Sequence, residues 1–117
     1  MEALKRVFDL AALASGNDVK WSPWREGVDI YRLYGDGVTG PSAALLRYAP
    51  NAEGPLHEHA GYEHVFVLSG VQQDARGVYG PGTMVVNPPG SRHCVRAPAG
   101  CTVLVVWERP VILVDSR

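Results

Sequence analysis

Cysteine is nearly absent from this chain. Cys94 and Cys101 are too few for the disulfide framework of a small secreted scaffold, and they are read as reduced, largely buried thiols. Basic runs are missing as well: the net charge is −1 over 117 residues, which excludes the electrostatic footprint of a nucleic-acid binder. No apolar stretch reaches the roughly 20 residues of a membrane-spanning helix, since the richest run, CTVLVVW, is far shorter. The opening MEALKRVFDLAALASGND has a weak apolar face interrupted by Asp9, so it lacks the core of a secretion signal. Cytoplasm is the expected location. Helical periodicity is missing from everything after residue 20. Histidine is scarce too, and three of the four stand within eight positions.

With 46% hydrophobic and 20% charged residues, the chain has the balance of one globular domain with a modest core. Its 13 glycines and 9 prolines fall between short β-rich runs such as GVDIYRLYG, EHVFVLSG and GTMVVNP. Close-set turn signals between such runs predict an all-β sandwich or barrel. Residues 1–20 are expected to form a short helix or arm, and residues 21–117 a single barrel.

The crowded histidines lie in GPLHEHAGYEHVFVLSG. Residues two apart on a strand share a face, so His57 and His59 point together and Glu58 points away. Ala60-Gly61-Tyr62 reads as a tight connection. Glu63 then opens the next strand, expected to lie adjacent and antiparallel, facing back toward the two imidazoles. The same parity groups Val65 and Val67 with Glu63, and sends His64, Phe66 and Leu68 to the other side. Imidazole suits zinc, copper, iron and nickel, and a carboxylate adds a hard anionic ligand. A His-x-His-x3-Glu pattern arises by chance in about 0.7% of chains of this composition, which favours a built site.

A second pattern lies downstream: Gly82, five residues, Pro88, one residue, Gly90, two residues, His93. The two together resemble the paired signature of the cupin superfamily, Gly-x5-His-x-His-x3,4-Glu-x6-Gly and Gly-x5-Pro-x-Gly-x2-His-x3-Asn, over roughly residues 42–108. The resemblance implies an RmlC-like double-stranded β-helix (jelly-roll) barrel. It also implies one divalent metal ion (Zn, Fe, Ni or Mn) held by His57, His59, Glu63 and His93. Two positions depart from it. The leading glycine is Asn51, which tolerates left-handed backbone, and the trailing asparagine is Ala97. The stretch from His57 through NPPGSRHCVRAPAGC is further similar to the cupin-like domain of ChrR-type anti-sigma factors, described as zinc-binding and preceded by a helical sigma-binding domain. About twenty residues ahead of the barrel cannot supply that helical domain, so sigma-factor binding is not expected to carry over.

The other residues of the motifs read as scaffold. Gly70, Gly82 and Gly90 fit turns that need positive φ, and Pro88-Pro89 sets the approach of His93. Cys94 is expected to point off the metal face, Tyr62 and Arg92 to flank the mouth, and Trp21, Trp24 and Trp107 to pack. A homodimer is the expected way to cover a sheet edge or apolar outer sheet. Two functions share this ligand set. The first is a metal-dependent enzyme, dioxygenase-like or an isomerase, acting on a small oxygen-rich molecule in the barrel, with Glu63 as ligand and proton acceptor. The second is a non-catalytic zinc or oxidant sensor, in which Cys94 and Cys101 matter as thiols.

Overall fold

A computed structural model describes residues 3–114. The outer limits expected for the arm and the barrel, 1 and 117, lie outside the described residues. In the arm, Asp9 caps a four-residue helix α1 (Leu10–Leu13), its carboxylate accepting from the Ala12 N–H at 3.2 Å. The strands then run β1 (Ser22–Arg25), β2 (Val28–Tyr34), β3 (Ser42–Tyr48), β4 (Ala52–Glu53), β5 (His57–Glu58) and β6 (Glu63–Gly70). They continue with β7 (Gln72–Asp74), β8 (Gly77–Tyr79), β9 (Met84–Asn87), β10 (Arg92–His93), β11 (Arg96–Ala97), β12 (Cys101–Trp107) and β13 (Ile112–Leu113). This is the expected all-β cupin fold with a short N-terminal helix. Among the described residues no helix is long and apolar enough to cross a membrane.

The main sheet is antiparallel in the order β1-β2-β3-β12-β6-β9, and smaller sheets run β10-β5-β13 and β4-β11-β7-β8. Its central strands β3 and β12 are buried on both faces, which is why SAALLRY and CTVLVVW are near-continuous apolar runs. Strand β6 alternates instead. Glu63, Val65 and Val67 are buried toward the interior, where the valines join Val28, Leu46, Val103 and Val105. Phe66 and Leu68 face out, packing with Leu33, Leu45 and Leu104 under Leu13, Val19 and Trp21 of the arm. Each aliphatic side chain so buried contributes about 1.5–3 kcal/mol relative to exposure. The interior of the barrel is therefore walled by β-branched carbon, and Glu63 is set into that wall.

Turns behave as expected. Asn51 has φ +65°, and Gly70, Gly82 and Gly90 all have positive φ. Pro88-Pro89-Gly90-Ser91 has the residue order and left-handed glycine of a type II turn, closed by the Ser91 N–H on the Pro88 carbonyl at 3.2 Å.

One expectation fails. Strands β5 and β6 are not an adjacent antiparallel pair: β5 pairs with β10 and β13, while β6 lies between β12 and β9. Ala60-Gly61-Tyr62 carries the chain from one sheet to another rather than turning it back. The Tyr62 carbonyl accepts from the Glu108 N–H at 2.9 Å, and the Tyr62 N–H donates to Glu108 Oε1 at 2.9 Å, so the crossing is tied to the end of β12. Glu63 meets the histidines across the gap between sheets.

Candidate metal centre

Pairing of β5 with β10 assembles the histidines. His57 lies opposite His93, and Glu58 opposite Arg92, with which it forms an outward ion pair at 2.8 Å. The ladder continues past the strand ends through His59 N–H to the Ser91 carbonyl at 2.9 Å and Gly90 N–H to the His59 carbonyl at 2.8 Å. The three rings stand edge to face, with centroids 4.6–5.0 Å apart. From the facing sheet, Glu63 is flanked by its cross-strand neighbours Asn87 on β9 and Trp107 on β12. Asn87 Nδ2 donates to Glu63 Oε1 at 3.0 Å and Trp107 Nε1 donates to Oε2 at 2.7 Å.

His57, His59, Glu63 and His93 each offer one donor atom, all within 4.8 Å of one another. His59 Nε2 is 3.2 Å and His93 Nε2 is 3.9 Å from Glu63 Oε1. Two donors about 2.1 Å from one ion are about 3.0 Å apart at a right angle, 3.4 Å at a tetrahedral angle and 4.2 Å in line. Both measured separations fall inside that span. Site and chemistry fit a divalent cation.

The outer nitrogens fix which way the inner ones can act. His57 Nδ1 lies 2.9 Å from the Pro55 carbonyl, which only accepts, so this nitrogen carries the proton. His93 Nδ1 faces Asp74 Oδ2 at 3.1 Å, another acceptor. His59 Nδ1 is 2.8 Å from Ser91 Oγ, whose own hydrogen goes to the Pro88 carbonyl at 2.6 Å, so the hydroxyl oxygen accepts here too. All three imidazoles are thereby held as the Nδ1–H tautomer, with Nε2 lone pairs turned inward. His59 Nε2 is fully buried yet has no hydrogen-bond partner: its approach to Glu63 lacks the direction of a hydrogen bond. Lone pairs and a carboxylate converging with no donor between them are stabilised by a cation.

Charge state follows the same geometry. Burial holds His57 below the usual imidazole range, against the partial offset of the Pro55 carbonyl. For Glu63, burial pushes the pKa up, but contact with His59 and the pull of the three imidazoles outweigh it and hold the carboxyl below its ordinary value. Asp74 behaves alike: burial raises it, and the Arg76 amide, His93 and the Tyr79 hydroxyl together bring it lower.

His64 and Cys94, expected off the metal face, are not part of the cluster. His64 faces out and stacks on exposed Tyr62, ring centroids 6.5 Å apart. Cys94 is not one of the clustered donors and is exposed, correcting the expectation of a largely buried thiol; it sits between the two-residue strands β10 and β11. Cys101 is buried, and burial pushes its thiol up to about 12. Sequence reasoning missed Asp74, Asn87 and Ser91, and read Trp107 as a packing or interface residue rather than a donor to Glu63. Trp107 shares the inward parity of Val103 and Val105, so its position was readable. Asp74 sits in QQDARG, where the chain reads as a turn, and nothing local marks it as the partner of His93.

A cavity opens beside the cluster, bordered by His57, Glu63 and His93 and walled by Val65, Val95 and Val105. About 40 Å³ of it is open to the centre of a water molecule.

Comparison with curated proteins gives no match. Among solved structures, an RmlC-like cupin of Ralstonia eutropha superposes with a TM-score of 0.74 at 22% identity, over 86% of this chain and 70% of that one. A complex of Rhodobacter sphaeroides SigE with the anti-sigma ChrR gives 0.70 at 26% identity, over 78% of this chain and half of that chain. An acetylacetone dioxygenase of Acinetobacter johnsonii gives 0.81 at 16% identity, over 99% and 81%. Residues 11–111 match the family described as the ChrR cupin-like domain, which covers most of the sequence and both histidine motifs. The chain belongs to the ChrR cupin-like domain family.

Proposed function

We propose that the chain is a divalent-metal-dependent enzyme acting on a small oxygen-rich molecule, with His57, His59, Glu63 and His93 as the metal ligands. The cavity carries this reading. A closed four-coordinate zinc that only braces the fold has no use for a cavity bordered by three of its four ligands. Iron, nickel or manganese takes six ligands, so four protein donors leave two positions for substrate oxygens or water. The bound ion supplies Lewis acidity and a template for those oxygens, and iron adds dioxygen chemistry. Glu63, aimed by Asn87 and Trp107, holds the ion and is placed to accept a proton from substrate. An acetylacetone dioxygenase shares the fold, so the fold accommodates a dioxygenase-like reaction.

Kinship with the ChrR cupin-like family, together with exposed Cys94 directly after His93, favours a second reading as a zinc-binding regulatory domain. One measurement separates the two: metal content of tag-free protein, followed by water-proton relaxation of the manganese-loaded form. One iron, nickel or manganese per chain with two exchangeable water positions is expected of the enzyme. Stoichiometric zinc, with manganese excluded or bound without exchangeable water, refutes it and supports the regulatory domain.

A further inference from the structure

Beside the ligand cluster the cavity holds a charge that the metal site does not use. On a regular strand Trp24 and Arg25 point to opposite faces. In β1 the register breaks: Pro23 lies opposite Asp29 and Arg25 opposite Val28, which makes Trp24 the extra residue of a β-bulge. Both side chains consequently line the cavity. The Arg25 guanidinium carbon lies 4.3 Å from the centre of the Trp24 ring, which holds it in place from one side. Trp24 in turn packs on Trp107, ring centroids 6.3 Å apart, and Trp107 is the donor to Glu63. The bulge thus links the cation to the metal cluster through two aromatic rings.

Arg25 is half-buried and forms no ion pair among the described residues. Apart from His57 and His93, the basic and acidic residues among the described lining of the cavity are Arg25 and Glu63 respectively. Once a divalent ion is bound, Glu63 and the Asp74 carboxylate on His93 balance its two charges, and Arg25 adds a positive charge that neither of them meets. Apolar walls cannot answer that excess, whereas an anionic ligand can. Size narrows the class. The 40 Å³ open to water centres limits the ligand to a small molecule.

We propose that the cavity selects a small organic anion, with its charged end on Arg25 and a second oxygen on the metal. This rests on the metal-dependent reading above and names its substrate class. Tyr48 and Gln72, on the same wall, add neutral polar groups beside the two charged anchors.

The test uses the metal-loaded full chain and two probes of matched shape, 2-oxobutyrate and the neutral 2,3-pentanedione, titrated by calorimetry into wild type and Arg25→Gln. Wild type is expected to prefer the anion by about tenfold or more, the scale of a hydrogen bond to a charged group. Arg25→Gln is expected to shrink that preference at least about fivefold while retaining one metal per chain, since Arg25 is not a ligand. An undiminished preference in the fully metal-loaded variant overturns the proposal, because the metal alone then accounts for it. No binding of 2-oxobutyrate to metal-loaded wild type overturns it as well. Wild-type protein that takes up no metal refutes the metal-dependent reading instead, and metal content is measured on every sample.

Discussion

Replacing Asp74 with asparagine is expected to weaken metal binding more than replacing it with alanine, although asparagine is the closer isostere. The reason lies in the two carboxylate oxygens. Oδ1 accepts from the Arg76 N–H at 2.9 Å, the Gly77 N–H at 3.2 Å and the Tyr79 hydroxyl at 2.9 Å. An asparagine therefore puts its amide oxygen there. Its NH2 then faces His93 Nδ1 across the 3.1 Å now spanned by Oδ2. Two donors oppose each other unless His93 moves its proton to Nε2, and a protonated Nε2 cannot hold a metal. Flipping the amide instead surrenders hydrogen bonds in the turn, each worth about 0.5–1.5 kcal/mol. Either route costs about 1.4–2.8 kcal/mol, equal to a 10–100-fold weaker dissociation constant. Alanine leaves Nδ1–H beside a surface groove lined by Tyr79 and Arg92, where water replaces the carboxylate. Its affinity loss is expected below about tenfold. Stability should run the other way, because alanine removes the acceptor that closes the 74–77 turn. Zinc affinity is read by competition with a chromogenic chelator, and stability by thermal melting of the metal-free proteins. Asp74→Asn binding zinc as tightly as Asp74→Ala would refute the tautomer argument.

Other expectations can be checked in the same preparations. His59→Ala should lose most of its metal by elemental analysis, whereas His64→Ala, whose ring stacks outward on Tyr62, should keep one ion per chain; equal losses would contradict the parity of β6. Metal-free protein should lose stability steadily on acidification. Below about pH 6.5 the unfolded His57 takes a proton that the folded one, its pKa lowered by burial, resists, so unfolding is favoured. Glu63 and Asp74, also lowered, give stability that is complete above the carboxylate range and lost as pH falls through their folded values. Urea midpoints from pH 7 to pH 3 that rise instead of falling would reject this. Gly70→Ala should destabilise by about 2 kcal/mol or more: φ is +72° and a Cβ would stand 2.7 Å from Cys101 Cα, so a melting temperature lowered by about 8 °C is expected and an unchanged one contradicts it.

Most of the site was legible in the sequence because its residues obey the two-residue period of strands. Parity alone separates Glu63, Val65 and Val67 from His64, Phe66 and Leu68, and the buried interior enforces it. The partner of His57 was not legible. It pairs with His93, far along the chain, and short strands such as HE and RH carry no register signal of their own. That is also why β5 and β6 looked like neighbours. A two-residue spacing fixes a face but not which strand lies across from it. The supports of the histidines, Asp74, Ser91 and the Pro55 carbonyl, lie at a strand end and in connections, where polar residues are expected for local reasons. The bulge at Trp24 was equally hidden, since nothing in SPWR shows that one residue is extra. Inward parity for Trp107, by contrast, continues from Val103 and Val105, and only its indole proton went unused in that reading.

Everything in the metal-dependent reading depends on three imidazoles offering Nε2 to one point. A long-range proton–nitrogen correlation spectrum of the histidine rings, taken before and after one equivalent of zinc, tests this most directly. Three rings should show the Nδ1–H tautomer in the metal-free protein at neutral pH. On adding zinc, the Nε2 signals of His57, His59 and His93 should shift together while His64 stays in place. A ring among the three that binds through Nδ1, or a His93 that does not respond, would contradict the account.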